Sequence, residues 1–216
     1  MSVEDLAARL PDIATLRRWS QSMAMLDAIL SPNWHLRYYS FNANWGRGKE
    51  RASMRDGMGN HYSITFSSVG AYVRGFDHES NLSSWVQASS RPRAGLLEPV
   101  PADFEVDEPG AMTDGILDVT LTLWRLASEQ VWSCGRPDRS AGEDDGGTWL
   151  FKTLDGDPAT FRRFALGYHE IDVDLGTLQH VFAHRPLTYG VVQAINPDLA
   201  LPHLADDVRE IGYPTQ

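Results

Sequence analysis

Apolar residues near the start of the chain recur at helical spacing. Ile13, Leu16, Met23, Leu26 and Leu30 share one face, and Arg17, Arg18 and Gln21 lie off it. Pro11 and Asp12 supply an entry. Ser31-Pro32 closes the run, because the residue before a proline avoids helical backbone. The pattern predicts an amphipathic helix over 13–30.

At Trp34 the period changes to two. Trp34, Leu36 and Tyr38 fall on one side of an extended chain, with His35, Arg37 and Tyr39 on the other. A turn is expected at 42–48, followed by alternation over 50–55 that sets Ala52 and Met54 against Arg51, Ser53 and Arg55. Asp56-Gly57-Met58-Gly59-Asn60 offers the positive-φ residues that a hairpin loop demands. Tyr62, Ile64 and Phe66 then alternate with Ser63, Thr65 and Ser67, and Ser68-Val69-Gly70 leads into a fourth strand over 71–76. Loops this short join antiparallel neighbours only, since parallel pairing needs a long crossover. Residues 34–76 therefore predict a meander.

Beyond Ser80 the signals weaken. Residues 96–115 are rich in proline and acid, and 135–147 have a single apolar residue, so both read as surface loops. Between them, Leu117, Leu121, Trp124 and Ala127 trace a stripe that predicts a helix over 116–131. Trp149-Leu150-Phe151 suggests a fifth strand over 148–153, and Asp157-Pro158 opens a helix carrying Phe161, Phe164 and Ala165. Residues 168–174 alternate as if extended, 176–184 read as helix, and the tail suggests two short helices broken at Asn196-Pro197. The expected fold is α+β in a single domain, 1–216. It has an antiparallel sheet of four to six strands, an N-terminal helix and a helical C-terminal portion.

Composition narrows the class. No stretch of 18 apolar residues occurs, so no membrane-spanning helix is expected. The first residues carry acids and arginines where a leader needs an apolar segment, and Cys134 is the only cysteine; both fit a cytoplasmic protein without disulfides. Net charge is −10 and unevenly spread. Residues 1–95 hold 11 Lys and Arg against 8 Asp and Glu, whereas 96–216 hold 8 against 21. An acidic surface disfavours nucleic acid and anionic membrane and favours a basic protein partner. Asp103, Glu105, Asp107 and Glu108 lie in the acidic stretch from Glu98 to Asp118, which has no Lys or Arg, and are the candidate docking residues.

Other constellations bear on chemistry. His180 and His184 are four apart, which on a helix would place two imidazoles on one face as a zinc site requires, though H-V-F-A-H lacks the glutamate of the zinc-protease helix. Asp77-His78-Glu79-Ser80 collects catalytic residue types in a row. Adjacent side chains diverge, so only His78 and Glu79 stand as catalytic candidates. Arg37, Arg47, Lys49, Arg51 and Arg55 interleave with Tyr38, Tyr39, Phe41 and Trp45, the ingredients of single-strand nucleic-acid binding, but the overall charge argues against that use. Asp155 with Asp157, Asp172 with Asp174, and Glu143-Asp144-Asp145 could offer oxygens to a hard cation, yet none has EF-hand spacing; caps and turns account for them more simply. No cofactor-binding fingerprint is present.

The blocks W-x-x-R-Y-Y-S-F-N from Trp34, A-S-M-R-D-G-x-G from Ala52 and G-F-D-H-E-S from Gly75 resemble a family of uncharacterised bacterial cytosolic proteins. The likeness covers residues 34–80 and implies no catalytic residues. Small acidic α+β proteins of this kind also resemble, at the level of fold, the immunity proteins of bacterial toxin systems. The expectation is a non-enzymatic protein-binding module, immunity-like, that docks a basic partner. The alternative is a metal-dependent hydrolase using zinc at His180 and His184.

Overall fold

The computed structural model describes residues 2–87, 92–104, 112–113, 116–138 and 143–215. The fold is α+β, with eight α-helices among the described residues and a six-stranded antiparallel sheet. The chain divides into two compact units, one formed by 1–13 and 55–152 and the other by 14–54 and 153–216. No helix among the described residues is long and apolar enough to cross a membrane.

The first unit begins with α1 (Val3–Arg9), whose N-terminus is closed by a reciprocal pair: Ser2 caps the backbone of Asp5, and the Asp5 carboxylate caps that of Ser2. Strands β3 (His61–Ser67) and β4 (Gly70–Phe76) are antiparallel, with His61 opposite Phe76 and Phe66 opposite Ala71. Tyr62, Ile64 and Phe66 are buried and Thr65 is half-buried, in line with alternation, while Ser63 on the opposite face is buried as well. The short helix α3 (Ser84–Gln87) follows. Beyond it lie a two-residue pair, β5 (Met112–Thr113) with β6 (Ile116–Leu117), then β7 (Leu121–Leu126), β8 (Ser133–Cys134) and α4 (Gly147–Leu150).

Strand β7 corrects the helix expected over 116–131. It pairs with β4, Tyr72 opposite Trp124 and Gly75 opposite Leu121, and on its other edge with β8. Thr120, Leu121, Thr122, Leu123 and Trp124 are all buried, so both faces of this central strand are covered and no polar side remains to mark the period. Leu117, Leu121 and Trp124 fit a helical stripe equally well; the β-branched Thr120 and Thr122 favour the extended form. The strand expected over 148–153 is also corrected, because Gly147–Leu150 forms one helical turn. The Asp145 carboxylate holds its start, accepting from the backbone N–H of Gly147 at 2.9 Å and of Val3 at 2.9 Å.

The second unit is built on α2 (Ile13–Leu30), as the periodicity predicts. The strand expected from Trp34 does not form: Trp34–Leu36 is a 3-10 turn capped by Asn33, and β1 runs Tyr39–Gly46 through much of the expected turn. It pairs with β2 (Lys49–Arg55), Tyr39 opposite Met54 and Phe41 opposite Ala52, all four buried. Helices α5 (Pro158–Tyr168), α6 (Leu175–Phe182), α7 (Tyr189–Ile195) and α8 (Ala205–Ile211) complete it. Residues 170–174 are irregular rather than extended, with Glu170 at φ 59°.

Polar residues on α2 are buried for a reason. Gln21 donates to the carbonyls of Ile211 and Gly212 at the end of α8, and Ser22 donates to that of Val181 at the end of α6. Helix ends leave carbonyls without intrahelical donors, and side chains on α2 satisfy them. Asp27, wholly buried, accepts from the backbone N–H groups of Tyr38 and Tyr39 at 2.6 and 2.8 Å and from His169 Nε2 at 2.6 Å.

Candidate functional site

In the first unit the β3–β4 register places Asn60 and the segment after Phe76 beside each other, since His61 and Phe76 are directly opposed. Two sequence blocks, D-G-M-G-N and F-D-H-E-S, therefore meet at one end of the hairpin. Asp56 organises the loop: its Oδ1 accepts from the backbone N–H of Met58 and Asn60, and its Oδ2 accepts from Asn60 Nδ2 at 2.7 Å. Asn60 Oδ1 then accepts from the backbone N–H of His78 at 2.9 Å and lies 2.8 Å from His78 Nδ1.

This chain of contacts fixes the protons. A carboxylate only accepts, so the Asn60 atom facing Asp56 is the amide nitrogen, and the atom facing His78 is oxygen. His78 Nδ1 must then carry the hydrogen, which leaves Nε2 as the acceptor in the neutral ring. Nε2 makes no hydrogen bond among the described residues. Its nearest acidic oxygen is Glu79 Oε1 at 3.9 Å, and the Glu79 side chain is 84% exposed.

Trp85 forms the apolar side of the cluster. Its ring is 5.7 Å from that of His78 and stands edge-on to buried Phe76 at 5.3 Å. It lies against Gly59, where an added Cβ would come within 3.2 Å of the indole; Gly59 also sits at φ 111°, so a side chain there is refused twice. Trp85 nonetheless stays 49% exposed, and its neighbour Val86 and the loop residue Met58 are exposed as well. Asp77 accepts from the Glu79 backbone N–H, and Ser80 Oγ donates to the Asp144 carbonyl at 2.6 Å. Ser80 is thus committed to a turn. The His78 ring has Asn60, Glu79 and Trp85 about it. An oriented acceptor beside an exposed indole and a carboxylate is suited to recognition.

The remaining candidates lie elsewhere. Asp103 is exposed, whereas Glu105, Asp107 and Glu108 fall outside the described residues. In the second unit α6 ends at Phe182, so His180 is on the helix and His184 lies past its Ala183 cap at φ 54°. The shared helical face expected of the pair is not formed. His180 Nε2 donates to the Pro186 carbonyl at 3.0 Å, while His184 Nδ1 is buried with no hydrogen bond among the described residues. Burial, reinforced by Arg17 and Arg18, holds the His184 pKa below its ordinary value. The described residues contain no group of three metal-ligating side chains. The acid pairs act locally. Asp157 caps α5, Asp174 caps α6, and Asp172 pairs with Arg162, whose hydrogen bonds and, less, charge hold that carboxyl below the usual range.

Two members of the basic strip are engaged: Arg37 is buried and reaches Asp207 at 2.5 Å, and Arg51 lies 4.6 Å from the Trp45 ring centroid. Cys134 is partly exposed and lines a groove of about 730 Å³ together with Ala7, Trp124, Val131, Trp132 and Arg136.

Sequence reasoning missed Asn60 and Trp85. In the sequence Asn60 reads as a turn former, and Trp85 stands in a stretch with no period. The available signal was side-chain chemistry: an Asp-x-x-x-Asn loop can hydrogen-bond within itself and still present one amide oxygen outward. No family model, curated protein or solved structure matches the chain.

Proposed function

We propose that this chain is a protein-binding module that docks a basic partner through the cluster around His78 and Trp85. The observation carrying this reading is Trp85 itself. An indole supported by Phe76 and Gly59 and left half exposed, with the exposed Met58, Val86 and Glu79 nearby in the chain, has the makeup of an interface anchor. Interfaces concentrate their energy in such aromatic residues, and surrounding charge sets partner choice and association rate. The carboxylates of Asp56, Asp77 and Glu79 favour a positively charged surface on the other side. Such a module would act by occupying a basic protein, as an immunity protein occupies its toxin.

The test uses the full-length ¹⁵N-labelled protein titrated with hexalysine and hexaarginine as basic probes. Shifts are expected in the Trp85 indole and in backbone amides of residues 57–60 and 78–80, and they should fade at about 0.5 M salt as screening shortens the electrostatic range. Absence of binding by either peptide at low salt, or shifts confined to other tryptophans, would overturn the reading.

A further inference from the structure

We infer that the Trp85–His78–Glu79 cluster is an arginine-specific anchor site, a refinement that rests on the docking function proposed above. Three features converge on a guanidinium. The exposed indole of Trp85 offers a flat π-face, on which a planar delocalised cation stacks better than a compact ammonium. His78 Nε2 is an acceptor whose orientation is set by the Asp56–Asn60–His78 relay, so it is present before the partner arrives. Glu79 Oε1 lies 3.9 Å from Nε2, a gap that leaves the two acceptors side by side without a bond between them. A guanidinium presents several N–H donors in one plane and can reach both while its face rests on the ring; an ammonium has no such face.

The relay explains why an asparagine is required at position 60. Aspartate there would face the Asp56 carboxylate at hydrogen-bond distance with no donor between them. A residue lacking the amide oxygen would free the imidazole to rotate or to change tautomer.

The experiment compares affinities of hexaarginine, hexalysine and hexacitrulline for the full-length protein and for Trp85→Leu, His78→Leu and Glu79→Gln. Hexaarginine is expected to bind about ten-fold more tightly than hexalysine, and hexacitrulline, which keeps the planar shape without the charge, not to bind. Each variant should lower hexaarginine affinity several-fold and hexalysine affinity by a smaller factor, so that the preference for arginine shrinks. Glu79→Gln alters a solvated side chain, so it remains informative should the other two variants fail to fold. Independently, ¹⁵N chemical shifts should show His78 as the Nδ1–H tautomer, with hexaarginine moving the Nε2 resonance. Equal salt-sensitive binding of the two cationic peptides, or hexaarginine affinity untouched by Glu79→Gln, would overturn the arginine anchor while sparing the docking function. Failure of both peptides to bind would remove both.

Discussion

His169 Nε2 lies 2.6 Å from Asp27 Oδ1, and both side chains are almost completely buried. The same carboxylate accepts two consecutive backbone N–H groups where the chain enters β1, so one residue of α2 fixes the end of α5 and the start of the hairpin. A buried carboxylate is tolerated only with this degree of satisfaction. Asp27→Ala leaves three donors without an acceptor and should cost about 3–5 kcal/mol in urea denaturation. His169→Phe removes a single donor and should cost less. Equal losses would mean that the histidine is the dominant support of the carboxylate.

Gly156 and Gly48 share a positive φ, 75° and 68°, but differ in surroundings. Nothing lies within 4 Å of a Cβ built on Gly48, whereas one on Gly156 would fall inside the Trp19 ring. Gly48→Ala should therefore show only the left-handed backbone cost, about 1–2 kcal/mol. Gly156→Ala should add the overpacking of Trp19, about 1–3 kcal/mol more. Chemical denaturation of the two variants separates backbone strain from steric exclusion.

How far the fold was legible depends on whether polar side chains mark one face of each element. In helix α2 they do, half-buried at Arg17, exposed at Arg18 and buried at Gln21, and in strand β3 they do at Ser63, Thr65 and Ser67, so both elements announce their periods in the sequence. Strand β7 has no wet side, and Thr120 to Trp124 were therefore read as helix. Trp34 and Leu36 alternate convincingly but precede the strand, because Asn33 turns the chain first and Asp27 captures the backbone only at Tyr38. The candidate cluster was half legible. His78 and Glu79 could be named from residue type, but their neighbours Asn60 and Trp85 depend on a register that opposes His61 to Phe76, and pairing partners are not written in local sequence.

On β3, Phe66 is 4% exposed and Thr65 half-buried. Truncation to alanine should cost about 3–5 kcal/mol at Phe66 and under about 1 kcal/mol at Thr65. Thermal melts of the two variants measure the difference. A reversal would require the strand to be shifted by one residue, which the pairing of Phe66 with Ala71 opposes.

His184 makes stability depend on pH in a defined sense. Its Nδ1 is buried, its ring packs edge-on against Tyr213 at 4.8 Å, and burial with the charges of Arg17 and Arg18 disfavours the protonated form. In the unfolded chain the imidazole titrates near its ordinary value of about 6.5. As pH falls through that value the unfolded state takes up a proton that the folded state refuses. The contribution is therefore complete above about pH 6.5 and is lost progressively towards the lower folded pKa, below which the curve flattens. His184→Asn suits a position at φ 54°, because asparagine tolerates left-handed backbone, and it removes the titrating ring. Urea midpoints measured between pH 7.5 and pH 5 should fall more steeply for the natural protein than for His184→Asn. Parallel curves would show that the imidazole is solvated, and that the acid sensitivity of this unit arises elsewhere.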